Sequence, residues 1–169
     1  WLGWVPLFMA VRGAKNRSAA RLGFLAGASC WLTSISWLTH VTVAGWIVLS
    51  LYCALYVVPS AVVFAAWSRR HGATTWWRNL GLMLLGAAVW AGAEYVRSIL
   101  LTGFPWNPLG ATQYRSTAMI QIARWGGVYA VSALVAFVNL AAALTALRYA
   151  EQGWRRTRFH PELMIAFLA

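Results

Sequence analysis

The residues best suited to chemistry lie between Glu94 and Trp106, in the sequence EYVRSILLTGFPW. Glu94 and Arg97 are three positions apart, so a predicted helix carries a carboxylate and a guanidinium on one face. Charged side chains are costly among apolar ones in a membrane and often mark functional sites there. Two interpretations are open. In the first, an internal ion pair or a helix-to-helix tether neutralises both charges. In the second, the residues have a direct functional role, in which Arg97 binds a phospholipid headgroup or its phosphate.

The next segment, TGFPWNPLGATQYR at 102–115, breaks the helix with glycines and prolines among large apolar side chains. In hydrocarbon an irregular backbone is tolerated only against protein or along a cavity. We therefore consider an ordinary interfacial connector and a re-entrant loop that lines a lipid-facing cavity. The predicted lipid-binding, substrate-binding or gating residues are Glu94, Arg97, Phe104, Pro105, Trp106 and Asn107.

No other reaction centre is visible in the sequence. The three histidines fall in different predicted loops without the spacing of metal ligands, and the chain has only three acidic residues. Cys30 and Cys53 lie within predicted spans, where a thiolate is poorly solvated, so we interpret both as packing residues. The sequence thus predicts no catalytic residue, no metal site and no cofactor in this chain.

Composition indicates a membrane protein. Hydrophobic residues make up 61% of the chain and charged residues 10%, whereas soluble domains average about 45–50% and about 25%. The net charge of +11 is spread over short clusters between apolar runs, without a nucleic-acid-binding motif. We therefore expect membrane lipids, and not nucleic acid, as partners.

Apolar runs long enough to cross a bilayer predict an all-α fold, a polytopic transmembrane helical bundle that forms one domain over 1–169. Both ends fall inside apolar runs, so we interpret the chain as a fragment. Gly23 and Gly27 form a GxxxG step, which either permits close helix approach or arises by chance. The predicted spans are about 1–11 (partial), 22–39, 41–67, 80–101, 125–147 and 163–169 (partial).

Charge also predicts the orientation of these spans. Lysines and arginines concentrate in the loops at 12–21, 68–79 and 148–162, which fall on one side if the spans alternate. Basic loops are retained in the cytoplasm. The segment at 102–123 is then predicted to face outward.

The run EYVR at 94–97 followed by TGFPW at 102–106 resembles the E-W-L-R…T-G-F-P-W signature of bacterial apolipoprotein N-acyltransferases. The similarity continues through Gly110, Gln113 and Tyr114 and into QIARWGGVY at 121–129, and it covers essentially the whole chain. Tyr95 stands where the signature usually has tryptophan.

This resemblance implies an inner-membrane enzyme of lipoprotein biosynthesis, with a helical bundle and a periplasmic nitrilase-like domain. Such enzymes move an acyl chain from a phospholipid to a cysteine thioester, and then to the amine of the diacylglyceryl-cysteine of an apolipoprotein. Their Glu-Lys-Cys triad lies in the nitrilase-like domain, which would follow Ala169. The fragment alone is therefore expected to be inactive.

The resemblance also suggests a division of labour. A bundle that opens sideways to the outer leaflet would present two lipid-bearing substrates to the catalytic domain, with the loop at 102–115 as floor or gate. Two alternatives remain open from the residues alone. One is a transporter or channel in which Glu94 and Arg97 line a polar pathway, and the other is a non-catalytic membrane scaffold.

Overall fold

The computed structural model describes residues 2–71 and 76–152. The regular elements in these ranges are α-helices and short 3₁₀ turns, which confirms the all-α fold class. The predicted span at 163–169, residues 153–162 of the third basic loop and residues 72–75 of the second lie outside the described residues. In chain order the helices are α1 (Val5–Ala10), α2 (Asn16–Ser34), α3 (Val43–Ala54), α4 (Val58–His71), α5 (Trp76–Ile99), α6 (Thr117–Ile120) and α7 (Ala123–Gln152).

Three helical stretches of the described residues are long and apolar enough to cross a membrane: Val43–Arg70, Trp76–Ile99 and Ala123–Glu151. They coincide with the predicted spans at 41–67, 80–101 and 125–147. Helix α2 begins at Asn16, well before the predicted span at 22–39, and it ends at Ser34, before a 3₁₀ turn. The crossing of the membrane by residues 22–39 stays a prediction.

The helical stretch Val43–Arg70 changes from α-helical to 3₁₀ geometry near its middle. A 3₁₀ turn at Leu55–Val57 separates α3 from α4, immediately before Pro59. Proline has no N–H to donate to the carbonyl oxygen four residues earlier, so the chain tightens ahead of it. Both helices pack against α2.

The GxxxG step of α2 is a close helix contact. A Cβ on Gly23 would lie 2.7 Å from Cβ of Ala61, and one on Gly27 would lie 2.9 Å from the carbonyl oxygen of Ala54. Real Cβ atoms do not come so near, so only glycine permits this packing. The close approach is therefore present, and it fixes α2 against the α3–α4 pair.

Helix α5 packs against α4 and α7 along one face. Its Leu82 and Met83 are fully buried with Leu140 of α7 in the main core cluster. Helix α1 joins the other side of α7, where the backbone N–H of Trp4 donates to Oδ1 of Asn139 at 3.0 Å. This packing buries Glu94 and Arg97 on one face of α5, whereas Tyr95, Val96 and Ile99 on the other face are exposed.

Candidate functional site

Glu94 is buried, with 8% of its surface exposed, and its carboxylate binds two N–H groups through the same oxygen. The indole Nε1–H of Trp90, one turn earlier on α5, donates to Oε1 at 3.0 Å. The backbone N–H of Leu109 donates to the same oxygen at 2.7 Å. Hydrogen bonds to a charged group contribute about 1.5–3 kcal/mol each. Glu94 therefore ties α5 to the far end of the loop that follows it.

Arg97 is one turn further along α5 and only 2% exposed. Its Nη1 donates to the carbonyl oxygens of Phe104 and Trp106 at 3.0 and 2.9 Å. The guanidinium carbon lies 4.6 Å from the centre of the Trp31 ring, in a cation–π contact. Two carbonyl dipoles and an aromatic face thus stabilise a charge that burial would otherwise disfavour.

No ion pair joins Glu94 to Arg97 in the described part of the chain. The internal ion pair that their spacing allows is therefore not the arrangement found. Each side chain instead holds the backbone of the same loop, the carboxylate at an N–H and the guanidinium at two carbonyl oxygens. A carboxylate accepts hydrogen bonds from N–H groups and a guanidinium donates them to carbonyl oxygens, so the two opposite charges hold the two kinds of backbone group.

The loop over residues 103–110 leaves α5 by a sharp reversal. Leu101 and Asn107 have φ of 52° and 53°, unusual for residues other than glycine, and Gly103 has φ of 78°. A Cβ on Gly103 would lie 2.1 Å from the carbonyl oxygen of Ser98, so the turn requires glycine. The N–H of Phe104 then donates to the Arg97 carbonyl at 2.9 Å. The reversal returns the loop over the end of α5.

The far end of the loop is fixed to α7. The backbone N–H of Gly110 donates to Oγ of Ser132 at 2.8 Å, and both residues are buried. A Cβ on Gly110 would lie 2.5 Å from the carbonyl oxygen of Val128. The loop backbone at Gly110 thus lies closer to α7 than a residue with a Cβ atom would permit. Three anchors, two on α5 and one on α7, hold this loop, which has no helix or strand over 103–108 and enters a 3₁₀ turn at Leu109.

A cavity of about 230 Å³ lies beneath this loop. Glu94 and Arg97 line it, and the loop contributes Asn107, Pro108 and Leu109. The other walls come from α1, α2, the α3–α4 pair, α5 and the turn after the loop. They combine aromatic rings, two thiols, small hydroxyl side chains and one valine: Trp4, Trp31, Tyr56, Trp90, Cys30, Cys53, Ser34, Thr112 and Val57.

The six predicted site residues do not share one environment. Glu94, Arg97 and Asn107 line the cavity. Phe104 is half-buried and meets the Trp31 ring edge-on, with ring centres 6.1 Å apart. The other two, Pro105 and Trp106, are exposed. Trp106 contributes its backbone carbonyl oxygen, which Arg97 binds, and Pro105 lies between the two residues whose carbonyl oxygens accept from Arg97.

Sequence reasoning missed the contributions of Trp31, Trp90 and Ser132. Trp90 could have been found, because its position four residues before Glu94 places both on one helix face. The other two belong to distant helices, and only the packing of the bundle brings them to the loop. Their local sequence carries no signal of that contact.

Comparison with known proteins identifies the family of this chain. A model of the apolipoprotein N-acyltransferase N-terminal domain matches residues 1–141. The chain belongs to this family. The family resemblance predicted from EYVR and TGFPW is thereby confirmed, and these matches give no support to a transporter, channel or scaffold.

Individual relatives carry the same name. A protein of Geobacter metallireducens named apolipoprotein N-acyltransferase is 38% identical over 151 residues, which cover 83% of this chain and 27% of that protein. Proteins of the same name from Rhodopirellula baltica and Allorhizobium ampelinum are 31% and 32% identical, over 83% and 78% of this chain and 26% of each relative. The chain thus spans about a quarter of the length of these apolipoprotein N-acyltransferases.

Proposed function

We propose that this chain is the membrane domain of an apolipoprotein N-acyltransferase. We propose also that its loop at 103–110 forms part of the floor or gate between this domain, where lipid-bearing substrates enter, and a catalytic domain above it. The acyl donor would be a phospholipid, and the acceptor the N-terminal diacylglyceryl-cysteine of an apolipoprotein. The reaction itself would take place in a nitrilase-like domain carried by the same protein.

One observation carries the proposal of a gate: both buried charges of α5 bind the loop backbone and not each other. A connector that merely joins two spans does not need three charge-assisted hydrogen bonds, because its backbone can be satisfied by water at the interface. A boundary between lipid and a reaction site does need them, since misplacement by about 1 Å can slow a reaction 100-fold.

The outer surface of the loop fits contact with a membrane surface or a domain above it. Trp106 is 64% exposed, and its ring centre lies 6.4 Å from that of Trp37. Aromatic rings of this kind are enriched at headgroup depth. With the basic loops in the cytoplasm of a bacterial inner membrane, this end of the bundle would face the periplasm, where the acceptor lipoprotein would be presented.

The experiment that tests this function uses the full-length protein reconstituted with a phospholipid that carries an isotope-labelled acyl chain. A synthetic diacylglyceryl-cysteine peptide serves as acceptor, and the Geobacter metallireducens relative is the positive control. We expect the peptide to gain the mass of one labelled acyl chain. A folded full-length protein that leaves the peptide unmodified, where the relative modifies it, would contradict the proposal.

A further inference from the structure

The end of the bundle opposite the loop carries a strong positive charge. Helix α5 begins at this end, and the loop follows its other end. Among the described residues here, Glu151 supplies the one carboxylate, against eight basic side chains: Arg12, Lys15, Arg17, Arg21, Arg69, Arg70, Arg78 and Arg148. Their net charge of +7 attracts anions to this surface.

A cleft opens within this charged end, where the end of α1 meets α4, α5 and α7. Arg12 and Arg148 line it, together with Ser68 and the buried Asn79, and the rest of its lining is apolar. The enclosed space is about 20 Å³, which holds one water-sized group. Two guanidinium groups beside so small a space suit a ligand that inserts a single charged oxygen.

The backbone that carries Arg12 is held in place. The N–H of Gly13 donates to Oγ of Ser68 at 3.1 Å, and Gly13 has φ of 67°, in the region that favours glycine. Arg69, next to Ser68 on α4, donates to the carbonyl oxygen of Ala14. The turn between α1 and α2 is therefore fixed against α4, so one wall of the cleft is formed before any ligand binds.

Arg12 can bind an anion and keep its own ion pair. Its Nη1 pairs with Oε1 of Glu151, which lies near the end of α7 and follows Arg148 by less than one turn. A guanidinium has five N–H donors, so one carboxylate oxygen does not exhaust them. The pair joins the end of α1 to the end of α7 and orients Arg12, while the second arginine keeps the cleft positively charged.

We propose that this cleft binds the phosphate group of an anionic phospholipid. One phosphate oxygen enters the cleft, and Arg12 and Arg148 donate to the oxygens at its mouth. Arginine suits this role because its planar fork of N–H donors matches two phosphate oxygens. The site is distinct from the cavity beneath the loop, since Asn79 and Glu94 are roughly 22 Å apart along α5 at about 1.5 Å per residue.

The position of the cleft indicates that a lipid carries this phosphate. The three helical stretches long enough to cross a membrane all have an end here, at Arg70, Trp76 and Glu151. Lipid headgroups lie where the hydrocarbon region ends. The rings of Trp76 and Trp77 stack with their centres 3.4 Å apart, and tryptophan is enriched at headgroup depth. A surface of net charge +7 favours a lipid with net negative charge over a zwitterionic one.

The test measures the stability of the full-length protein in nanodiscs of phosphatidylcholine, which is zwitterionic. In the first arm the anionic phosphatidylglycerol replaces an increasing share of this lipid. In the second arm sodium phosphate is added to discs of phosphatidylcholine alone, against sodium chloride at equal ionic strength. The unfolding midpoint is followed in both arms without acceptor peptide. Acyl transfer does not enter the readout, so a failure here leaves the proposed function untouched.

Arg148→Gln removes one guanidinium from the cleft. Arg17→Gln is its matched control, because Arg17 is exposed at the same end and does not line the cleft. We expect phosphatidylglycerol to raise the midpoint of the unaltered protein. The share of this lipid that gives half of the rise should be about fivefold higher in Arg148→Gln and nearly unchanged in Arg17→Gln. Equal effects of the two substitutions would indicate diffuse surface charge and would contradict a specific site.

A charge-neutral variant separates the site from surface charge more sharply, and it also serves if Arg148→Gln does not fold. Arg12→Gln combined with Glu151→Gln removes a guanidinium from the cleft and leaves the net charge of the protein unchanged. We expect the share of phosphatidylglycerol at half-rise to increase several-fold in this double variant. An unchanged share in a folded double variant would refute the role of Arg12 and with it the site.

The two arms identify the carrier of the phosphate. A response to phosphatidylglycerol without a response to sodium phosphate supports a lipid, and a response to both supports the same site with the phosphate group sufficient by itself. A response to sodium phosphate alone would show that the ligand is a soluble anion and would overturn the assignment to a lipid. No response in either arm would overturn the proposal as a whole.

Discussion

Glu94 accepts a hydrogen bond of 2.7 Å from the backbone N–H of Leu109, fifteen residues further along the chain. The bond closes a loop whose other end is held by Arg97, one helical turn away on α5. The two residues therefore act as one clamp, although they are not bonded to each other. The clamp explains how a segment rich in glycine and proline keeps one conformation at the end of a membrane helix.

The clamp predicts an asymmetry between two substitutions of Glu94. Glu94→Ala leaves the N–H groups of Trp90 and Leu109 without their acceptor, and the free energy of unfolding should fall by about 3 kcal/mol. Glu94→Gln keeps an oxygen at that position and should cost less than half as much. Chemical denaturation in mild detergent measures both. Equal losses in the two variants would show that the hydrogen bonds to Oε1 do not hold the loop.

The anchor on α7 predicts a steric effect at Gly110. In Gly110→Ala the new Cβ would meet the Val128 carbonyl oxygen at 2.5 Å and the Ser132 nitrogen at 2.9 Å. Both are backbone atoms, so α7 or the loop must shift, and stability should fall by about 1–3 kcal/mol. Gly92→Ala on α5 is the matched control, because its Cβ would meet nothing within 4 Å. If both variants unfold alike, the close approach of loop and helix is not what the structure indicates.

A similar comparison tests the packing of α2. Gly27→Ala would place a Cβ 2.9 Å from the Ala54 carbonyl oxygen and 3.0 Å from its Cα. Separation of α2 from α3 should destabilise the protein by about 1–3 kcal/mol and widen the cavity, since both helices contribute walls. The unfolding midpoint, with Gly92→Ala again as control, gives the result. A midpoint equal to that of the control would indicate that α2 does not pack closely there.

The sequence predicted the parts of this site that depend on local spacing. The shared face of Glu94 and Arg97 and the helix break at Gly103 follow from residues a few positions apart. The GxxxG step of α2 was visible too, but the sequence left open whether it permits close packing or arises by chance. The contacts that complete the site do not. The ring of Trp31 over Arg97 and the hydroxyl of Ser132 at Gly110 join separate helices, and the packing of the bundle alone brings them together.

The helix boundaries predicted from the sequence were less accurate, because hydropathy does not mark where a helix begins or ends. The predicted span at 22–39 followed hydropathy, whereas α2 begins at Asn16 and includes basic residues that hydropathy excludes. Likewise α7 begins at Ala123, and Gly126 and Gly127 leave the helical conformation inside it. Hydropathy locates the hydrocarbon region, and a helix extends beyond that region wherever its backbone hydrogen bonds can continue.

The proposed orientation gives a labelling prediction. In a full-length protein whose cysteines, Cys30 and Cys53 among them, are replaced by alanine, Ser18→Cys near the start of α2 and Gln121→Cys after α6 both lie at exposed positions. A membrane-impermeant maleimide applied to intact spheroplasts should modify position 121, and should reach position 18 only after lysis. The basic loops predict this sidedness. The reverse pattern of labelling would show that the bundle is inverted.

The central claim is that Arg97 and Glu94 position a gate for acyl transfer. The most direct measurement is the rate at which the full-length protein acylates a diacylglyceryl-cysteine peptide when Arg97 is replaced by glutamine. The replacement removes the charge that holds the carbonyl oxygens of Phe104 and Trp106. We predict a rate at least about tenfold lower in a variant that still folds and inserts. A folded Arg97→Gln protein with an unchanged rate would contradict the account.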